Sequence, residues 1–142
     1  MEYIDEDTFS SDQLHQTLNK IEMVLAEKLP DINILRLGGL MGKERMFYRY
    51  YKESGRNEVV NHIHYIDICK VIEKMILLEL KGKIYNVVAP LHPTKGEVYA
   101  HQTNSSTVPG ISDKTENRII SSDKMIRELA YSFMYPDPKT FL

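Results

Sequence analysis

The strongest constraint on this chain is a change of periodicity between residues 13 and 39. Leu14, Leu18, Ile21, Leu25 and Leu29 follow at spacings of four, three, four and four, one face of an α-helix. Pro30 has no N–H for a further turn and ends it. Ile32-Asn33-Ile34-Leu35-Arg36-Leu37 then packs branched apolar residues into a strand-length run that stops at Gly38-Gly39. A helix of period 3.6 feeding a short apolar strand is the repeating unit of an α/β layer.

The alternation continues downstream. Residues 43–54 read as an amphipathic helix closed by Gly55, and residues 57–66 are β-prone. Ile68, Val71, Ile72, Met75, Ile76 and Leu80 predict a helix ended by Lys81-Gly82, with Asp67 as its cap. Residues 83–89 read as a second buried strand. Thr94 and Glu97 stand at capping-box spacing and open a short helix. Residues 104–117 have no period. Residues 118–120 read as a short strand, and Ser121 or Ser122 caps a last helix over 123–131. Residues 1–12 are polar, with Ser10, Ser11 and Asp12 as candidate caps of the first helix. The tail from Tyr135 holds Pro136 and Pro138 and cannot continue a helix.

Composition narrows the function classes. A chain of 142 residues is expected to form one domain. Eighteen Lys and Arg stand against twenty Asp and Glu, for a net charge of −2, so a nucleic-acid partner held by phosphate neutralisation is not expected. No apolar run reaches the ~18–20 residues of a membrane span, and the acidic start lacks a signal peptide's apolar stretch. Cys69 is the single cysteine, which excludes an internal disulfide and a multi-cysteine zinc site, and it reads as packing in the first turn of a helix. A cytoplasmic protein with no membrane partner is the expectation.

Five segments in order carry a family resemblance: Asn33-Ile34-Leu35-Arg36-Leu37-Gly38-Gly39-Leu40-Met41-Gly42; Val60-Asn61-His62-Ile63-His64-Tyr65-Ile66-Asp67; Ile84-Tyr85-Asn86-Val87-Val88; Pro93-Thr94 through Tyr99; and Arg118-Ile119-Ile120-Ser121-Ser122 with Lys124 to Leu129 and Tyr135-Pro136. Together they resemble the C-terminal half of extended short-chain dehydrogenases/reductases, the NAD(P)-dependent epimerase/dehydratase type. The resemblance implies an α/β fold: a partial Rossmann-like layer with a small parallel sheet, helices packed on it, and a C-terminal substrate-side subdomain. It implies one truncated domain over 1–142, with 13–89 from the Rossmann-like core and 90–142 on the substrate side. Gly38 and Gly39 would border the nicotinamide end of the cofactor. Leu40, Met41, His62 and His64 would face the substrate.

The departures from the family are informative. Its glycine loop, which rests the cofactor pyrophosphate on backbone N–H groups, has no counterpart string in these residues. Aligning Glu22 with the acidic end of the family's Tyr-x-x-x-Lys motif puts Leu14 and Leu18 at the Tyr and Lys positions, so no catalytic residue is assigned. Tyr48 to Lys52 follows the strand rather than preceding it, and Tyr135 to Lys139 is broken by prolines. The resemblance therefore implies NAD(P) for the complete fold and no cofactor for this chain alone.

Other readings stand beside these. Gly38, Gly39, Gly42 and Lys43 lack P-loop spacing, and glycines there also suit a close backbone approach. His62, His64 and Asp67 have the residue types of a three-ligand metal site, against which Asp67 has a sufficient role as a cap and no metal is assigned. Arg36 reads as a structural partner for a carboxylate. Tyr48, Tyr50 and Tyr51 with Arg45, Arg49 and Lys52 read as a helix with a solvated basic face. The function expected is the substrate-side portion of an epimerase/dehydratase-like protein, not catalytic alone, acting on an unidentified small molecule. An interaction module is the alternative, and a small metal-dependent hydrolase using His62, His64 and Asp67 is a third class. The partners expected are a second copy or an N-terminal Rossmann half, because the Leu14–Leu25 stripe needs a surface to cover it.

Overall fold

The computed structural model describes residues 2–8, 13–52, 55–109 and 117–141, with the helical backbone alone at 13–15. The elements are β1 (Glu2–Ile4), α1 (Gln13–Lys28), β2 (Ile34–Leu37), β3 (Gly39–Met41), β4 (His62–His64), α2 (Tyr65–Leu77), β5 (Ile84–Val87), α3 (Lys95–Thr103), β6 (Arg118–Ile120) and α4 (Asp123–Leu129), with 3-10 turns at Phe47–Arg49 and Pro138–Thr140. The fold is mixed α/β. The strands form three parallel ladders, β2 with β5, β3 with β4, and β1 with β6. Parallel neighbours need a crossover, and α2 supplies the one that leads to β5.

Gly38 is where the chain changes partner. Its N–H donates to the Val87 carbonyl (3.1 Å), while the Gly39 N–H donates to the Asn61 carbonyl (2.8 Å). A Cβ on Gly38 would collide with the Asn61 carbonyl oxygen and the Val88 side chain. Glycine is required here by close approach, so that β4 can enter beside β3 directly after β2 has left β5. The Ala89 N–H donates to the His62 carbonyl (2.8 Å) and fastens β4 to the chain leaving β5.

One core cluster lies between α2, β5 and α4, centred on Val71, Met75, Tyr85, Val87, Met125 and Leu129. A second gathers Met41, Phe47, Val60, Ala89, Val98 and Phe141 beneath α3 and the tail. The side chain of Leu14 and the candidate caps Ser10, Ser11 and Asp12 lie outside the described residues, as do 110–116 of the aperiodic stretch.

Several sequence expectations are corrected. Residues 43–52 form a single 3-10 turn, Phe47–Arg49, rather than a helix. Gly42 (φ 111°) and Lys43 (φ 57°) adopt left-handed backbone that breaks helical continuity, and Phe47 is drawn into the second core cluster. Glu2–Ile4 is a strand, which the polar start concealed. Its ladder exists because β6 offers a parallel edge, and the Asn61 side chain occupies β6's other edge by accepting from Ile120 N–H and donating to the Arg118 carbonyl, both at 2.9 Å. Asp67 does not cap α2. The N-cap is His64, whose Nδ1 accepts from the Ile66 N–H (3.3 Å). Cys69 is exposed rather than packed.

Candidate functional site

The β3–β4 ladder sets Gly39 against His62, Leu40 against Ile63 and Met41 against His64. Side chains alternate along a strand, so Met41, His62 and His64 share one face with Gly39, and Leu40 lies on the other. Met41 is buried and Leu40 is exposed. The imidazole of His62 lies where a Cβ on Gly39 would be, and that of His64 where a Cβ on Gly42 would be. Two glycines of one sequence turn thus make room for two histidines of the facing strand.

The two histidines have different surroundings. His64 is 1% exposed and stacked on Tyr135 (centroids 3.8 Å apart, planes 24° apart), with Tyr65 and Phe141 at 4.7 and 5.4 Å. Those contacts and its capping bond fix it as part of the framework. His62 stands 5.3 Å from the Phe47 ring, and its buried Nδ1 has no hydrogen-bond partner among the described residues. Burial, and secondarily the positive charge of Lys95, push its pKa down to about 4, so the imidazole is neutral at neutral pH. His92 is lowered in the same direction by burial.

Asp67 serves a purpose its sequence context does not disclose. It is fully buried, and its carboxylate accepts from the Tyr131 hydroxyl (2.7 Å), the Met134 N–H (2.8 Å) and the Tyr135 N–H (3.0 Å). It ties the C-terminal tail onto α2, and Tyr135, once tied, covers His64. Burial and this bond to Asp67 raise the Tyr131 pKa. With both oxygens so engaged, Asp67 does not converge with His62 and His64. Among the described residues there is no group of three His, Cys, Asp or Glu placed to hold a metal ion.

Arg36 is the structural partner its position suggested. Its Nε and Nη2 contact the Glu22 carboxylate at 3.0 and 2.6 Å, and its Nη1 donates to the Glu6 carbonyl (2.9 Å). The bond to Glu22 holds the guanidinium pKa above its usual value. A cavity of about 550 Å³ opens between α1, β1, β2 and β6, lined by Leu18, Ile21, Arg36, Leu37, Asn86 and Ile120 among others. Asn86 is 3% exposed, and its Nδ2 finds no partner among the described residues.

The glycines do not fit a pyrophosphate cradle. The N–H groups of Gly38 and Gly39 both donate inside the sheet, and no amide of the pair remains to meet an anion. Asn33 and Asn61 were not singled out by residue chemistry, and Ser122 was read only as a candidate cap, a bond its side chain does not make, yet each holds backbone in place. Asn33 bridges Leu80 and Lys83, and the Ser122 hydroxyl bonds both the N–H and the C=O of Val88. The one hint was that each stands beside an apolar strand run, where a side-chain amide or hydroxyl can substitute for a missing ladder partner.

No protein-family model matches the chain. The protein YeeZ of Escherichia coli K12 is 30% identical over 115 residues, which cover 75% of this chain and 42% of YeeZ. The chain thus spans less than half the length of this curated relative. A functionally unknown conserved protein from Silicibacter pomeroyi has the same fold at a TM-score of 0.76, with 19% identity over 99% of this chain and 57% of that one. The human epimerase family protein SDR39U1, solved with NADPH, gives a TM-score of 0.74 at 16% identity, over 99% of this chain and 58% of that one. Similar solved structures include NAD-dependent epimerase/dehydratase types, and this chain is covered almost wholly by about half of each. The fold is thus that of about half of a Rossmann-like epimerase/dehydratase.

Proposed function

We propose that this chain is the substrate-side, C-terminal portion of an NAD(P)-dependent epimerase/dehydratase-like protein and does not catalyse by itself. The observation that carries this reading is the pairing of two facts: nearly the whole chain matches about half of such folds, and the Gly38 and Gly39 amides are consumed within the sheet. In this reading Gly38 and Gly39 border the nicotinamide end of the cofactor bound elsewhere in the complete fold. Met41, His62 and His64 form the wall next to a small-molecule substrate, and Leu40, on the opposite face of β3, falls outside it. His64 is the rigid part of that wall, and His62 is a neutral imidazole with an unused nitrogen. Cofactor chemistry needs the cofactor held against the substrate, and the chain's 142 residues contain neither the glycine loop nor a helical Tyr-x-x-x-Lys pair ahead of β2.

Calorimetric titration of the chain with NAD and with NADP tests the reading. The expected outcome is no saturable heat up to roughly millimolar cofactor, since the phosphate cradle is absent. Saturable binding in the micromolar range would overturn it and point to a substitute site.

A further inference from the structure

Of the three side chains on the β3–β4 wall, His62 is the one able to make a polar contact with a ligand. Met41 offers no donor. His64 is 1% exposed beneath Tyr135, and its Nδ1 accepts from the Ile66 N–H. The amides of Gly38 and Gly39 are spent inside the sheet. His62 is half-buried, and its two ring nitrogens have different surroundings. Nδ1 is enclosed and has no hydrogen-bond partner among the described residues. Nε2 has no partner there either, but it is not enclosed, so it opens to solvent. The Cδ2–Nε2 edge of the ring occupies the space that glycine leaves free at position 39, where a Cβ would collide with both atoms. The Phe47 ring stands 5.3 Å away, tilted by 54°. The open nitrogen therefore lies at the glycine turn, with apolar Met41 and Phe47 as its company on the wall.

We propose that His62 sets the specificity of this wall: its ring is held as the Nε2–H tautomer, and that N–H donates to an uncharged oxygen, carbonyl or hydroxyl, of the small molecule. A neutral imidazole carries one N–H and one lone pair. With the proton on Nδ1, an enclosed N–H would face no acceptor, and an orphaned buried donor is the rarer and costlier kind of unsatisfied group. With the proton on Nε2, the N–H meets solvent or ligand and only a lone pair stays enclosed. A second proton would have to enter at Nδ1. Burial opposes it, and so does the positive charge of Lys95, whose own ion-pair partner is Glu58. Two exclusions follow. The ring offers a ligand no lone pair, so it does not take a proton from one. It carries no charge at neutral pH, so it gives a carboxylate or phosphate no ion pair. A single uncharged N–H between apolar neighbours suits a neutral acceptor oxygen.

The inference rests on the reading of the β3–β4 face as a substrate-side wall, and the two fail separately. Micromolar cofactor binding by the chain would overturn that reading and leave the tautomer of His62 as found. An Nδ1–H tautomer would remove the inference and leave that reading intact.

Long-range nitrogen–proton NMR of the isotope-labelled 142-residue chain reads the tautomer directly. The His62 ring is assigned through its own backbone, so no variant has to fold. At neutral pH, Nε2 is expected at the shift of a protonated nitrogen and Nδ1 at that of a bare one, and the pattern persists as pH falls through the usual histidine value of 6.5. Acetone and isopropanol, a carbonyl and a hydroxyl on one carbon skeleton, then probe the oxygen, and acetate probes charge. At least one neutral probe is expected to move the Nε2 resonance saturably by roughly 100 mM, with acetate at least ~5-fold weaker. Which of the two responds assigns the oxygen as carbonyl or hydroxyl. An Nδ1–H tautomer, a charged ring at neutral pH, no response to either neutral probe, or an equal response to acetate overturns the inference.

Discussion

Helices α1 and α2 have similar amphipathic patterns and opposite fates. Helix α2 buries Ile68, Val71 and Met75 against β5 and α4, and Asp67 binds its first turn to the tail. Helix α1 is longer, yet Leu18, Ile21, Leu25 and Leu29 remain substantially exposed, and the Glu22–Arg36 pair ties it to the sheet. The pattern of apolar residues is a request for a facing surface. For α2 the chain supplies one on the inner side. For α1 the described residues supply an ion pair and a cavity.

That contrast is most directly broken by removing one anchor from each side. Asp67→Ala removes the acceptor of the part-buried Met134 and Tyr135 amides and leaves the buried Tyr131 hydroxyl only the Asp67 carbonyl, and is expected to lower unfolding free energy by ~3 kcal/mol. Chemical denaturation measures it, and a loss below about 1 kcal/mol would show that the tail is held mainly by its apolar residues.

Acid should act on the filled side next. His62 is held neutral, at about 4 against the usual 6.5, chiefly by burial. The unfolded chain therefore takes up a proton that the folded chain refuses. The contribution of His62 is complete above pH 6.5 and is lost as pH falls toward 4, amounting to roughly 3 kcal/mol at the acid end. Denaturation midpoints across that window, compared with those of His62→Gln, isolate the effect. An unchanged slope in the variant would mean that His62 is protonated in the fold.

The smallest effect is expected on the open side. Glu22→Gln keeps the shape of the side chain and removes its charge from Arg36, in a pair whose Arg36 and Glu22 side chains are 28% and 18% exposed. A cost of about 1 kcal/mol or less is expected, shrinking in high salt. A salt-independent loss as large as that at Asp67 would mean that α1 is anchored as firmly as α2, and the comparison would fail.

Much of the fold was legible because it rests on local chemistry. The limits of α1, the Thr94–Glu97 capping box and the strand character of 34–37, 84–87 and 118–120 follow from spacing and residue type. Arg36 as a carboxylate partner was legible too, although which carboxylate was not. The failures share a cause. The 43–54 stretch has helical spacing, but left-handed backbone at Gly42 and Lys43 and the burial of Phe47 outweigh a weak local preference. The strand at Glu2–Ile4 carries no period because three residues are too few to show one. Asp67 sits where a cap would, and only the return of the tail some 65 residues later assigns its carboxylate.

The sequence by itself determined the alternation of helices and strands and the glycine turn after β2, since these depend on neighbours within a few residues. Tertiary structure alone decided that β2 and β3 serve different partners, that His64 is framework while His62 keeps an unused nitrogen, and that α1 faces a cavity. The physical reason is that local propensity is worth tenths of a kcal/mol per residue, whereas burying an apolar side chain or satisfying a buried carboxylate is worth about 1–3 kcal/mol. Which residues gain that stronger stabilisation depends on what the rest of the chain brings within contact distance.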